Sequence, residues 1–376
     1  MKVFKKIRKT KEKHKKNLLL KDEKMNIIIK AKKKRKNTFN IFSKNFLLKV
    51  LLPILILLYL FFIIFLISKR KRNSSKKNNN IINNNNSNNT IYNSDSFEYF
   101  ACFCALARQE NIYAKELIEF YSNLGVEKFI FGDNNLPNSE KLADVLQDYI
   151  SKGTVDIIDV FGSTIGLSEF YQIIYEKYKT RCGWFLYFDF DEYLEIFFKK
   201  NEKITLKEFL SNEIFANCES ILFNWLVYTD NDLVFYDNRT LIERFTTPNN
   251  GDRDNRIVKS VVRGNLSKIA FYPNTSNHVP SSNLSICNSK GNKITRYNPF
   301  TVFPIVYDYG YLKHFTTKTA EEFCIKMKRG RTRGKQYDID ERVKLFFGHN
   351  KYSEEKMKVF ETTFNKSFKR PYIRKT

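Results

Sequence analysis

From residue 97 onward, apolar positions alternate between two rhythms. Residues 97–107 (FEYFACFCALA) form a near-continuous apolar run of strand length, and residues 110–124 then carry Ala114, Leu117, Ile118, Tyr121 and Leu124 at helical spacing. The pair of rhythms recurs. Residues 126–134 (VEKFIFGDN) read as a strand ending in a turn, 139–149 as a helix, 155–161 (VDIIDVF) as a strand and 169–178 as a helix. Residues 184–194 (WFLYFDFDEYL) read as a further strand that runs into acids. Alternation of this kind predicts an α/β fold in which a mainly parallel sheet is covered by helices. No repeat of 20–50 residues is visible, so residues 97–368 are expected to form one domain, followed by a short basic tail, 369–376.

Before residue 97 the pattern is different. Residues 50–67 are uncharged and almost wholly apolar, and 18 positions at about 1.5 Å each span roughly 27 Å, close to a bilayer's hydrocarbon thickness. Pro53 falls in the first turn, where a missing N–H costs least. A cleaved signal peptide would carry a shorter positive region and a small-residue cleavage site. Here 49 residues precede the run, and Lys69, Arg70, Lys71 and Arg72 follow it. The expectation is a single transmembrane helix over 50–68, between a Lys-rich tail (1–49) and an Asn-rich stem (69–96). Positive residues before the span slightly outnumber those after it. That predicts a type II orientation, with the bulk of the chain in the lumen of the endoplasmic reticulum or Golgi.

Charge follows the same division. Residues 1–77 hold 25 Lys and Arg against 3 acids, and the rest of the chain holds 40 against 37, so the net +25 belongs to the tail. A nucleic-acid-binding domain needs a basic face of its own, so no nucleic-acid partner is expected. The tail's expected partner is anionic lipid. Six cysteines (Cys102, Cys104, Cys182, Cys218, Cys287 and Cys324) all follow the span, and an even number in a lumenal domain permits disulfides. Cys102 and Cys104, alternating on one strand face, read as buried thiols. Sequons at Asn73, Asn85, Asn88, Asn238, Asn265, Asn274, Asn283 and Asn365 fit a lumenal location.

In open parallel sheets, ligands bind beyond the carboxyl ends of the strands. Three polar groups fall at such ends: Arg108 with Glu110, Asp133 with Asn134, and Asp189 with Asp191. If 184–194 is one strand, Asp189 and Asp191 share a face. Paired carboxylates suit a hard cation, Mn²⁺ or Mg²⁺; a solvated strand end is the plainer alternative. His314, ending a short strand (309–315), is the candidate third ligand, with His278 behind it. The helix that follows buries Ala320, Phe323, Cys324 and Met327 and presents Lys318, Lys326 and Arg329 on its other face, with Arg331, Arg333 and Lys335 beyond. Lys326 and Arg329 are candidate contacts for a leaving diphosphate, against a merely solvated charged face. Arg108, Glu110 and Asp133 are candidate donor contacts, although Glu110 also suits a helix N-terminus and Asp133 a turn. Asp230, Asp232, Asp252 and Asp254 stand as alternative catalytic bases.

In these stretches the chain resembles the glycosyltransferase family 92 group and related glycosyltransferase-2-like proteins. The similar segments are Arg108-x-Glu110, ELIEFYSNLGVEKFIFGDN, FLYFDFDEYL, FNWLVY, KSVVR with a later NHV, and YLKHFTTKTAEEFCIKMKRG. In order, they cover nearly all of residues 100–335. The chain departs from the pattern at Leu117 and Tyr121, where those families usually have Trp and His. The resemblance implies a GT-A-like fold, a nucleotide-sugar donor (commonly a UDP-sugar), a Mn²⁺-like cofactor and inversion at the anomeric carbon. It also implies a metal-binding role for Asp189, Asp191 and His314. The expected function is therefore a membrane-anchored, inverting glycosyltransferase of the hexosyltransferase type, acting on a hydroxyl of a glycan or glycoprotein. Two other readings stand beside it. One is a glycoside hydrolase using Asp189 and Asp191, about 6.6 Å apart if both lie on one strand. The other is a membrane-tethered sugar-binding protein without catalysis.

Expressed in a glycosylating host, the protein should shift in gel mobility on endoglycosidase treatment. An unshifted protein, open to protease from the cytoplasmic side, would reverse the orientation.

Overall fold

The chain divides into two units, Met1–Ile91 and Tyr92–Thr376. The structure, a computed structural model, describes residues 97–370 apart from 162–164, 200, 268, 272–279, 281–283, 296–300 and 332–335. The expected tail, transmembrane span and stem lie outside the described residues. Among the described residues, no helix is long and apolar enough to cross a membrane.

The first half of the second unit follows the pattern in the sequence. β1 (Tyr99–Ala107), α1 (Ala114–Leu124), β2 (Lys128–Asp133), α2 (Leu142–Ser151), β3 (Val155–Asp159), α3 (Leu167–Tyr178) and β4 (Cys182–Tyr187) alternate in chain order. β1 pairs with β2 on one side and β4 on the other, and β2 pairs with β3, all in parallel. One face buries Phe103, Phe129, Phe131 and Leu186 in a cluster with Leu117 and Tyr121 of α1. The other packs Cys104, Phe185 and Tyr187 with Tyr171, Ile174 and Tyr175 of α3. Burial on both faces is why these strands read as continuous apolar runs.

The second half corrects the expected GT-A-like, mainly parallel sheet. Residues 184–194 are not one strand: β4 stops at Tyr187, a turn follows, and β5 (Glu192–Ile196) runs to the far edge of the sheet. Then come α4 (Leu206–Leu210), β6 (Ser220–Val227), α5 (Leu241–Arg244), β7 (Val258–Arg263), β8 (Ile286–Asn288) and β9 (Gly310–His314). β7 is antiparallel to both β4 and β6, and β5 is antiparallel to β9. β6 is parallel to β8 and β9. The result is a curled, mixed sheet in the order β3-β2-β1-β4-β7-β6-β9-β5, with β8 beside β6. Parallel neighbours need long crossovers, usually helical. α4 and α5 have only 5 and 4 residues, too short to cover a face as α1 and α3 do. Strand–helix alternation fails at β4, and parallel pairing across the sheet fails with it.

α6 (Ala320–Arg329), α7 (Ile339–His349) and α8 (Glu354–Phe364) follow and build a separate cluster around Phe323, Phe346 and Phe360. Disulfides join Cys102 to Cys182 and Cys218 to Cys287. Cys102 is therefore not the buried thiol its strand position suggested, because β4 lies alongside β1 and brings Cys182 within bridging distance. Cys104 and Cys324 are buried thiols. The described sequon residues Asn238, Asn265 and Asn365 are exposed.

Tyr121 links helix to strand at the point where the sheet changes character. Its ring packs 4.5 Å from that of Phe103. Its hydroxyl donates to the Glu192 carbonyl at 2.8 Å and accepts from the Leu194 N–H at 3.0 Å. Tyr121→Phe keeps the ring but leaves both backbone groups of β5 unpaired. Urea denaturation should show a loss of about 1–3 kcal/mol; an unchanged midpoint would show that β5 is held by other means.

Candidate active site

β1 and β4 end side by side, and a cleft of about 350 Å³ opens beyond their carboxyl ends. Its wall brings together six of the predicted residues: Arg108 and Glu110 after β1, Asp189 and Asp191 between β4 and β5, and Lys326 and Arg329 on α6. α6 is started by a reciprocal cap between Thr319 and Glu322, which fixes where its lysines emerge.

Asp191 is only 3% exposed. Its Oδ2 accepts from Lys318 Nζ at 3.1 Å and Lys326 Nζ at 2.9 Å, while Oδ1 lies 3.6 Å from His314 Nε2. Burial alone would raise this carboxyl, but Lys318, Lys326 and His314 together hold it well below the usual carboxylate range. Strand register delivers the histidine. β5 runs against β9 with Glu192 opposite His314, and the Phe315 N–H donates to the Asp191 carbonyl at 2.9 Å. The imidazole packs 3.8 Å from the Trp225 ring. Burial lowers the His314 pKa despite the pull of Asp191, which favours the neutral ring.

Asp189 turns to a different partner. Lys259 Nζ, on β7, lies 2.5 Å from Asp189 Oδ2 and 3.2 Å from Glu192 Oε1. The second contact is an ion-pair distance without hydrogen-bond alignment. Burial pushes the Glu192 carboxyl up to about 8, against the pull of Lys259. Burial also opposes the charge on Lys259, but Asp189 and Glu192 outweigh it and raise its pKa. Asp189 and Asp191 thus occupy a turn rather than one strand face, and Asp191 is buried rather than an exposed strand end. Sequence reasoning gives no role to Lys259, Lys318 or Glu192. The one available signal is a lysine inside the apolar run 258–263, where a buried charge requires a partner.

The other predicted residues divide. Arg329 donates to Glu110 Oε1 at 3.0 Å and to the carbonyl of Arg108, and Arg108 Nε returns a bond to the Arg329 carbonyl at 3.2 Å. This pair joins the end of α6 to the segment after β1. Asp133 accepts from the Asn135 and Leu142 N–H groups at 2.8 Å each, which is the turn role. None of the four base candidates lines the cleft. Asp230 and Asp232 meet Lys356 Nζ at 2.7 and 3.1 Å. Asp252 contacts His349 Nδ1, and Asp254 lies 3.7 Å from His349 Nε2. Among the described residues, Asp252, Asp254 and His349 are the one group of three metal-capable side chains with ligand atoms within 4.8 Å of one another. His278 lies outside the described residues.

Asp191 Oδ1, in the cleft wall, and His314 Nε2, 3.6 Å from it and outside that wall, are the two atoms that would hold a divalent cation there. Asp189 is held aside by Lys259. Two ammonium groups on Asp191 oppose a cation arriving alone but not one arriving with a polyanion. No family model matches the chain, and no curated protein is found to be similar to it.

Lys259→Met removes the charge that Asp189 and Glu192 share. A loss of about 1–3 kcal/mol in unfolding free energy is expected, since the bond from the buried ammonium to the partly exposed Asp189 is lost. A variant as stable as the parent would show that Lys259 does not tie β7 to the turn after β4.

Proposed function

We propose that the domain is a glycosyltransferase that takes a nucleotide-diphosphate sugar and transfers the sugar to a hydroxyl of a glycan or glycoprotein. The observation that carries this reading is the surplus of cations around Asp189 and Asp191 beyond β1 and β4. Lys318 and Lys326 share one carboxylate, and Arg108, Arg331 and Arg342 also line or border the same cleft. Such a site suits a ligand with two adjacent phosphates, whose oxygens compete with Asp191 for the lysines. The sequence resemblance points the same way.

In this mechanism the acceptor oxygen attacks the anomeric carbon as the bond to the diphosphate oxygen breaks. The electron pair leaves with the diphosphate, and Lys318 and Lys326 stabilise the charge that grows there. The hydroxyl proton passes to a carboxylate, for which Asp189 is the candidate: its side chain is 38% exposed, against 5% for Asp191. A divalent cation held by Asp191 and His314 would supply further neutralisation of the leaving group. The hydrolase reading is weaker, because Asp189 and Asp191 turn to different lysines rather than flanking a sugar. Two disulfides support an oxidising compartment such as the secretory lumen.

The full-length protein, offered a panel of UDP-sugars with and without Mn²⁺, should release UDP, and faster when an acceptor glycan is present. Asp191→Asn should lower kcat by about 10²-fold or more at a temperature where circular dichroism shows the less stable variant still folded. If no nucleotide-sugar is bound or turned over, the transferase reading fails.

A further inference from the structure

The reading above counts Arg331 and Arg342 among the cleft's cations without giving either a role. Arg331 follows the end of α6 and Arg342 lies in α7. Their guanidinium groups stand 5.1 and 4.5 Å from the centroid of the Tyr337 ring. All three residues line the cleft. The neighbouring cations are already engaged: Lys326 with Asp191, and Arg329 with Glu110 and the carbonyls of Arg108 and Gln109. Among the described residues, no carboxylate lies within ion-pair distance of Arg331 or Arg342. Burial depresses the Arg342 pKa and the like charge of Arg331 adds to the effect, with Tyr337 opposing both. Each guanidinium is held against the ring by a cation–π contact, and with no carboxylate beside them the pair leaves a net positive charge at this end of the cleft.

We infer that Arg331, Tyr337 and Arg342 form a subsite for a phosphoryl group of the substrate. Planar guanidinium forks match phosphate oxygens bidentately, a geometry the lysines at Asp191 do not offer. Both forks contact the Tyr337 ring, which holds them at one end of the cleft. A donor diphosphate and a phosphorylated acceptor both supply this chemistry. The inference rests on the cleft being the substrate site, and not on sugar transfer itself.

Isothermal titration of the full-length protein with inorganic pyrophosphate tests it. Arg331→Gln and Arg342→Gln should each weaken binding by about tenfold and flatten its salt dependence. Lys344→Gln, on the same helix as Arg342 and 66% exposed, should change neither. Arg331 is exposed, so Arg331→Gln keeps the test valid if Arg342→Gln fails to fold. Equal weakening for UDP assigns the subsite to the donor. Unchanged UDP affinity with weakened glucose 6-phosphate binding assigns it to the acceptor. Pyrophosphate that does not bind, or that binds the Arg331→Gln/Arg342→Gln protein as tightly as the parent, overturns the inference. Arginine-dependent pyrophosphate binding without turnover of any nucleotide-sugar would overturn the transferase reading and leave the subsite standing.

Discussion

A carboxylate taken out of water costs several kcal/mol unless opposite charge is buried with it. Asp191 meets that condition through Lys318 and Lys326, with His314 facing its other oxygen. This one contact ties three parts of the domain together. Asp191 belongs to the turn after β4, His314 ends β9, three strands along the sheet from β4, and Lys326 belongs to α6. The cleft exists because these elements are drawn to one carboxylate. α6 in turn carries Arg329, whose bonds to Glu110 and the Arg108 carbonyl set the opposite wall.

The mixed sheet has a functional consequence. Had β5 continued β4, the two aspartates would point to one side and lie open to solvent. Because β5 leaves to pair with β9, Asp191 is pulled inward while Asp189 stays near the mouth beside Lys259. Two acids of one short motif thereby differ in burial and in partner. One is buried among Lys318, Lys326 and His314, and the other is partly open to the cleft and paired with Lys259.

Much of this was legible in the sequence where local pattern determines structure. β1 to α3 are buried on a schedule set by period alone, and the strand-end rule drew attention to Arg108, Glu110, Asp189 and Asp191. The turn at 188–191 was not legible, because Phe188 and Phe190 are both fully buried and continue the strand's apolar alternation through the bend. β5 pairing with β9 across more than a hundred residues leaves no local trace. Lys259 was missed for a related reason, since its partners come from a strand boundary that the pattern concealed. Asp230 and Asp252 are candidate acids on type and position, yet neither lines the cleft and each is taken up by a lysine or a histidine elsewhere, while Asp133 serves its turn, the other role its position allowed. Residue type gives the chemistry available, and only packing shows which of it is already in use.

The central claim is that Asp191 and the lysines on it act as one unit. A double-mutant cycle on unfolding free energy with Asp191→Asn and Lys326→Met measures this directly. Asp191→Asn leaves two ammonium groups without their carboxylate, Lys326→Met leaves Asp191 to Lys318 alone, and the double change leaves only the Lys318 ammonium unmatched. The account predicts that the pair is less destabilising than the sum of the singles by at least about 1.5 kcal/mol. Additivity within about 0.5 kcal/mol would contradict it, and would mean that the contact forms no energetic link between the turn after β4 and α6.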